Sequence, residues 1–155
     1  MTTQTVHANC LIVGTRGLLL RAEAGGGKSS LSEILIETAI SKGNQGVLVA
    51  DDQVLLSADR GRVIASAPVT ISGKMEVRGF GLVDTPFQAR ACVHMLVDLV
   101  PLETIERLPE DPITRKEIAG HPLPAMTCPE NRPDISLRLI RWGFRSLFPG
   151  SPDYI

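Results

Sequence analysis

Residues 21–31, Arg-Ala-Glu-Ala-Gly-Gly-Gly-Lys-Ser-Ser-Leu, restrict what this chain can become more than any other stretch. Consecutive glycines are costly inside a helix or strand, by about 0.5–1 kcal/mol each relative to alanine. Here they separate an apolar run, Leu18-Leu19-Leu20, from a segment with helical spacing. A strand, a curled glycine bend and a helix, in that order, describe a phosphate-binding loop. Glycines let several backbone N–H groups turn toward one anion. Lys28 adds a point charge for the β- and γ-phosphates, and the Ser29 hydroxyl can ligate Mg²⁺ at the positive helix N-terminus. Against the pattern G-x-x-x-x-G-K-[ST], Gly27, Lys28 and Ser29 fit, while Ala22 stands where the first glycine belongs. Alanine there is strained if the backbone needs φ > 0 and tolerated otherwise. The plainer reading of the same residues is a glycine-rich turn, capped by Ser29, ahead of an ordinary helix.

The neighbouring segments place this loop. Ser29 to Lys42 is predicted as a helix, because Leu31, Ile34, Leu35, Thr38 and Ala39 recur at helical spacing. Gly43-Asn44 closes it, with Lys42 in the last turn. Upstream, Val6–Val13 reads as a first strand with His7 at its start, and Gly14–Gly17 as the turn that brings Cys10–Val13 against Leu18–Arg21. Downstream, Gly46–Ala50 is apolar without alternation, as in a strand buried on both faces, and ends in Asp51-Asp52. In parallel α/β sheets, carboxylates at the end of such a strand land beside the phosphate loop. There one aspartate can hold Mg²⁺ and another can accept a proton from a hydroxyl. Paired aspartates also open ordinary turns.

The rest of the chain carries weaker signals. Gln53–Ser57 and Arg62–Ser66 read as a hairpin around Ala58–Gly61, with a further strand at Ala67–Ser72. Lys74–Arg78 alternates, with Lys74, Glu76 and Arg78 on one face. Gly79 and Gly81 around Phe80 suggest close backbone approach before Leu82–Asp84. Phe87–Cys92 reads as a turn or short helix, and Val93–Val100 as a strand with a helix as the alternative. Residues 101–132 read as an irregular, proline- and charge-rich arm. With Asp134 as N-cap, Ile135, Leu139, Ile140, Trp142, Phe144, Leu147 and Phe148 line a terminal helix over 134–148, stopped by Pro149-Gly150.

A length of 155 residues is one domain by the usual prior. A net charge of −1 gives no broad attraction to nucleic acid or membrane surfaces, and no apolar run reaches a membrane span. Cys10, Cys92 and Cys128 form neither a CxxC pair nor a Cys/His cluster, which argues against a disulfide framework or zinc site and for a reducing cytoplasm. The start, Met-Thr-Thr-Gln-Thr, lacks the order of a signal peptide.

Taken together, the motifs resemble the catalytic domain of HPr kinase/phosphorylase, in the short form without an additional N-terminal domain. His7 stands fifteen positions ahead of Ala22, as the family's histidine does before its loop. The stretch Ala22–Ser29 looks like the family's G-x-S-G-x-G-K-S. Leu48–Asp52 resembles its V-A-D-D strand. Ala67-Pro68 and Met75–Leu82 look like its A-P … I-E-V-R-G-x-G-I. The likeness covers residues 6 to 100 and is loose beyond them. It implies a P-loop-containing α/β fold related to phosphoenolpyruvate carboxykinase: a mixed sheet, flanking helices and a C-terminal helix. It also implies an ATP- and Mg²⁺-dependent serine kinase acting on the phosphocarrier protein HPr, reversible by phosphorolysis, and hexameric.

Carried over residue by residue, Ala22, Glu23, Ala24, Gly25, Gly26, Gly27, Lys28 and Ser29 would cradle the nucleotide. Ser29, Asp52 and Glu76 would hold the metal. Asp51 would be the general base, with His7 and Arg78 beside it. Ala22 and Ala24 depart from the family's glycine and serine, and Ala8 from the glycine after its histidine. The stretch from Asp84 to Phe87 lacks the extended basic loop that longer members use for phosphorolysis. The substituted loop keeps open a nucleotide-sensing or HPr-binding module without transfer, and a P-loop enzyme acting on a small molecule.

Overall fold

The computed structural model describes residues 3–155. In chain order the elements are β1 (Thr3–Val13), β2 (Arg16–Arg21), α1 (Lys28–Ser41), β3 (Gly46–Ala50), β4 (Gln53–Asp59), β5 (Arg62–Ser66), β6 (Lys74–Val77), β7 (Gly81–Asp84), β8 (Arg90–Val100), β9 (Thr114–Ile118), β10 (His121–Pro129) and α2 (Pro133–Leu147).

The two long strands, β1 and β8, each belong to two layers. The first half of β1 pairs antiparallel with β4, and its second half with β2 and β3. β8 begins against β5 and continues parallel to β2 and then β10. One mixed sheet therefore folds over itself, while β6 and β7 form a separate hairpin. The larger layer runs β3-β1-β2-β8-β10-β9 and is covered on both faces. Leu19, Cys10 and Leu96 face the smaller layer, whereas Leu18, Leu20, Leu11 and Val13 face Leu31, Leu35, Ile140 and Phe144 of the helices. The period-2 alternation of strand side chains explains why β2 is apolar at consecutive positions: both of its faces are buried.

The loop–helix–strand unit is present, but in a mixed sheet. β2 and β3 flank β1 and both run antiparallel to it, so they are parallel to each other. Their C-terminal ends share one edge of the layer, and α1 crosses between them. That is how Ala22 and Asp51, far apart in the chain, arrive at the same place.

Several sequence expectations are corrected. Ala67–Ser72 is not a strand: Val69–Ile71 forms one 3-10 turn, with the Ile71 N–H donating to the Pro68 carbonyl at 3.0 Å. Pro68 has no N–H with which to continue a ladder. Phe87–Cys92 is neither turn nor helix; Phe87 bridges Leu48, and β8 has begun by Arg90. The supposed irregular arm contains the β9–β10 hairpin, and Leu123, Ala125, Met126 and Cys128 enter the core. Pro122 and Pro124 disguise β10. They are tolerated because that end of the strand pairs only with β9, and the ladder to β8 starts at Ala125. Gly79 and Gly81 serve conformation, at φ 87° and 132°; a Cβ at either would meet nothing within 4 Å. α2 is capped by Arg132 with Pro133 at its first turn, while Asp134 lies inside that turn and pairs with Arg132. Among the described residues no helix is long and apolar enough to cross a membrane.

Candidate functional site

The site forms where both strands of a pair turn a corner together. β4 and β3 are two halves of one path running antiparallel to β1, with His7 opposite Gln53 and Cys10 opposite Ala50. Ala8 and Asn9 on one side face Asp51 and Asp52 on the other. Asp52 adopts φ 68°, and its carbonyl accepts the Ala8 N–H at 3.1 Å. This left-handed residue sends neighbouring carboxylates apart: Asp51 is buried, whereas the Asp52 side chain is 63% exposed.

The glycine bend closes with a turn in which the Gly26 N–H donates to the Glu23 carbonyl at 2.9 Å. Gly25 and Gly27 have φ of 82° and 86°. Ala22 has no positive φ, so the substituted position carries no backbone strain. It does make Gly26 obligatory, because a Cβ there would lie 2.6 Å from the Ala22 Cβ. Gly27 caps α1 without any side-chain cap, and no acidic residue occupies the first turn. The leading N–H groups of a helix have no intrahelical partner, so this end presents donors and positive dipole to an anion.

Around the bend, the side chains divide into two sets. At the mouth, Lys28 Nζ lies 3.2 Å from His7 Nε2 and 3.6 Å from Asp52 Oδ1, and His7 Nε2 is 2.6 Å from the same oxygen. Beneath them, Asp51 is fully engaged. The Ser29 hydroxyl donates to its Oδ1 at 2.6 Å, the Asn9 amide to the same oxygen at 2.7 Å, and the Glu76 N–H to its Oδ2 at 2.9 Å. An open cleft of about 470 Å³ is lined by His7, Lys28, Ser29, Asp52, Glu76 and Arg78, with Ala24 and Gly25 on the loop side. Ala22, Glu23, Gly26 and Asp51 stand outside its lining.

Two participants were missed by sequence reasoning. Asn131 follows β10, with φ 55°; its Nδ2 donates to the Gly25 carbonyl at 2.9 Å and its N–H to the Gly26 carbonyl at 3.1 Å. Nothing local marks it. Asn9 is different: one amide inside Ala8-Asn9-Cys10-Leu11-Ile12-Val13 is itself a signal, since a buried polar group needs partners.

The oxygen donors near the loop suit a hard cation. Ser29 and Asp51 meet directly, and Glu76 reaches the cleft from β6. Among the described residues no group of three or more His, Cys, Asp or Glu is assembled for a metal.

Relatives are similar in sequence over most of this chain. The HPr kinase/phosphorylase of Acidovorax sp. (strain JS42) is 34% identical over 131 residues, which span 77% of this chain and 39% of that protein. The protein of that name from Bordetella pertussis (strain Tohama I / ATCC BAA-589 / NCTC 13251) is 36% identical over 132 residues, 78% of this chain and 41% of that one. The chain thus spans about two fifths of the length of the curated relatives it matches. The solved structure of the Hpr(Ser) kinase/phosphatase from Coxiella burnetii matches with a TM-score of 0.77 at 30% identity, over 95% of this chain and 93% of that one. The family described as HPr Serine kinase C-terminal domain matches residues 1–133, and this chain belongs to it.

Proposed function

We propose that this chain is an ATP- and Mg²⁺-dependent serine kinase domain that phosphorylates an HPr-like phosphocarrier protein. The observation that carries the reading is the meeting of Lys28, His7 and Asp52 within 3.6 Å at the open end of the glycine loop. Lys28 and the first-turn N–H groups of α1 bind and orient the terminal phosphates. Mg²⁺ would be held by Ser29, with Asp51 and Glu76 in support, and would supply neutralising charge at the phosphates. Asp52, rather than Asp51 as the sequence suggests, is the general base toward the carrier's serine. It is the exposed member of the pair, whereas both oxygens of Asp51 already accept hydrogen bonds. A carboxylate is a weak base for an alcohol, so positioning and charge supply most of the rate. His7 orients Asp52, and Arg78 offers a cation to the transferring group across the cleft.

Reverse phosphorolysis would use the same groups, with Asp52 returning the proton. The link between β7 and β8 spans only residues 85–89, which favours the kinase direction. Exposed Val69, Phe80, Leu82 and Trp142 supply apolar surface for a homo-oligomer, up to the hexamer that the family resemblance implies. The free thiols fit a reducing, cytoplasmic setting. The test is incubation with ATP, Mg²⁺ and the cognate HPr, read by mass spectrometry. Phosphoserine is expected on HPr and lost with Lys28→Ala; folded wild-type protein that leaves HPr unmodified refutes the proposal. HPr binding without Mg²⁺-ATP binding would instead identify a docking module.

A further inference from the structure

We propose that Asn9 is a positioning residue for phosphoryl transfer. Its buried amide divides the adjacent aspartates, aiming Asp51 inward at Ser29 and leaving Asp52 outward at Lys28 and His7. The inference rests on the kinase reading above and adds to it a residue that touches neither nucleotide nor carrier.

Asn9 is fully buried in a strand whose following residues are all apolar. A side-chain amide has two N–H protons and one carbonyl, and its burial is unfavourable unless all are paired. Here the pairing is complete and is spent on the site. Nδ2 donates to Asp51 Oδ1 at 2.7 Å and to Ser32 Oγ at 3.0 Å, with Ser29 Oγ at 3.4 Å. The Ser32 hydroxyl in turn donates to the Lys28 carbonyl at 2.8 Å. Oδ1 accepts the Asp52 N–H at 2.7 Å. The orientation is unambiguous, because a backbone N–H can only donate and so requires the carbonyl oxygen on its side.

The consequence lies in backbone geometry. Asp52 at φ 68° is in a region that L-residues visit at a cost, so something must hold it there. β1 grips it at both ends: the Asn9 carbonyl takes its N–H, and the Ala8 N–H takes its carbonyl. The same Asn9 amide then fixes the Asp51 carboxylate. One side chain thereby sets both directions, donating to the Asp51 carboxylate and accepting from the Asp52 N–H.

The test compares wild type with Asn9→Ala, Asn9→Asp, Asp51→Ala and the Asn9→Ala/Asp51→Ala double variant. Mn²⁺ affinity in the presence of ADP is read by electron paramagnetic resonance, and kcat and KM for the carrier by transfer assay. Asn9→Ala is expected to weaken Mn²⁺ binding and to lower kcat by about tenfold each, as for one hydrogen bond to a charged group, with KM unchanged. Asn9→Asp keeps the volume but replaces the donor, so its loss should be at least as large. The double variant should bind Mn²⁺ no more weakly than Asp51→Ala, because Asn9 acts through Asp51. If neither Ala nor Asp at this position melts cooperatively, Asn9→Ser retains a donor and should bind between wild type and Asp51→Ala. Wild-type affinity in Asn9→Asp or Asn9→Ser, or additive losses in the double variant, overturns the inference alone. A wild-type protein that binds no Mn²⁺–ADP overturns the kinase reading and this inference with it.

Discussion

The substituted glycine loop makes a two-residue prediction that its family pattern does not. A Cβ on Gly26 would stand 2.6 Å from the Ala22 Cβ and 3.0 Å from the Glu23 carbonyl oxygen. Non-bonded carbons rest about 3.5–4.0 Å apart, so Gly26→Ala must open the bend by about 1 Å. Overpacking of this kind costs about 1–3 kcal/mol. The bend is exposed at Glu23, Ala24 and Gly25, so most of that cost should fall on the nucleotide-binding conformation rather than on global stability. Mg²⁺-ADP affinity, measured by isothermal titration calorimetry, should then fall by about 5- to 150-fold. The melting temperature should move little. Ala22→Gly removes the opposing methyl, so Ala22→Gly/Gly26→Ala should recover most of the lost affinity, with a coupling between the sites close to that loss, about 1–3 kcal/mol. The double variant retains the approach to the Glu23 carbonyl and should stay slightly below wild type. Wild-type affinity in Gly26→Ala, or a double variant as weak as the single, refutes the packing account of this loop.

Other outcomes follow from the same geometry. Asp52→Asn should leave nucleotide affinity near wild type while transfer collapses, whereas Asp51→Asn should raise the Mg²⁺ concentration needed for half-maximal nucleotide binding; the reverse pattern in paired calorimetry and transfer assays would return the base to Asp51. Ile140 is fully buried between α2 and the larger layer, so Ile140→Ala should destabilise by about 2–5 kcal/mol, or about 4–20 °C in melting temperature by calorimetry. Burial alone would raise the Asp98 carboxyl, but hydrogen bonds and charge from Arg21 and Lys116, at 2.8 and 2.7 Å, outweigh it and hold it below the usual carboxylate range. A depressed folded value stabilises fully above about pH 4 and is lost as pH falls through that folded value. Asp98→Asn should therefore flatten the acid limb of melting temperature against pH, and an unchanged limb would contradict the ion-pair account.

Much of the fold was legible because its signals are local. The Gly14-Thr15 turn between apolar runs, the helical spacing of Leu31, Leu35 and Ala39, and the unbroken run Gly46–Ala50 each formed as read. Ile34 shares the same spacing yet lies at the exposed margin of α1, since no neighbouring element covers it. β10 was hidden by its prolines, whose missing N–H groups are harmless only because one side of that segment has no strand beside it. Asn131 was invisible for a related reason: its bonds reach the glycine bend from more than a hundred residues away.

The sequence by itself determined the chemistry available: a curled glycine bend with Lys28 and Ser29, two adjacent carboxylates, and His7 ahead of them. Those follow from residue type and short-range spacing. Tertiary structure decided which carboxylate is buried and which is exposed. Whether Asp51 or Asp52 meets Lys28 depends on a left-handed residue at a sheet corner, held by Ala8 and Asn9 from a different strand. A carboxylate's direction is set by the donors that surround it, and here those donors come from β1, α1 and β6, elements that only the folded chain brings together.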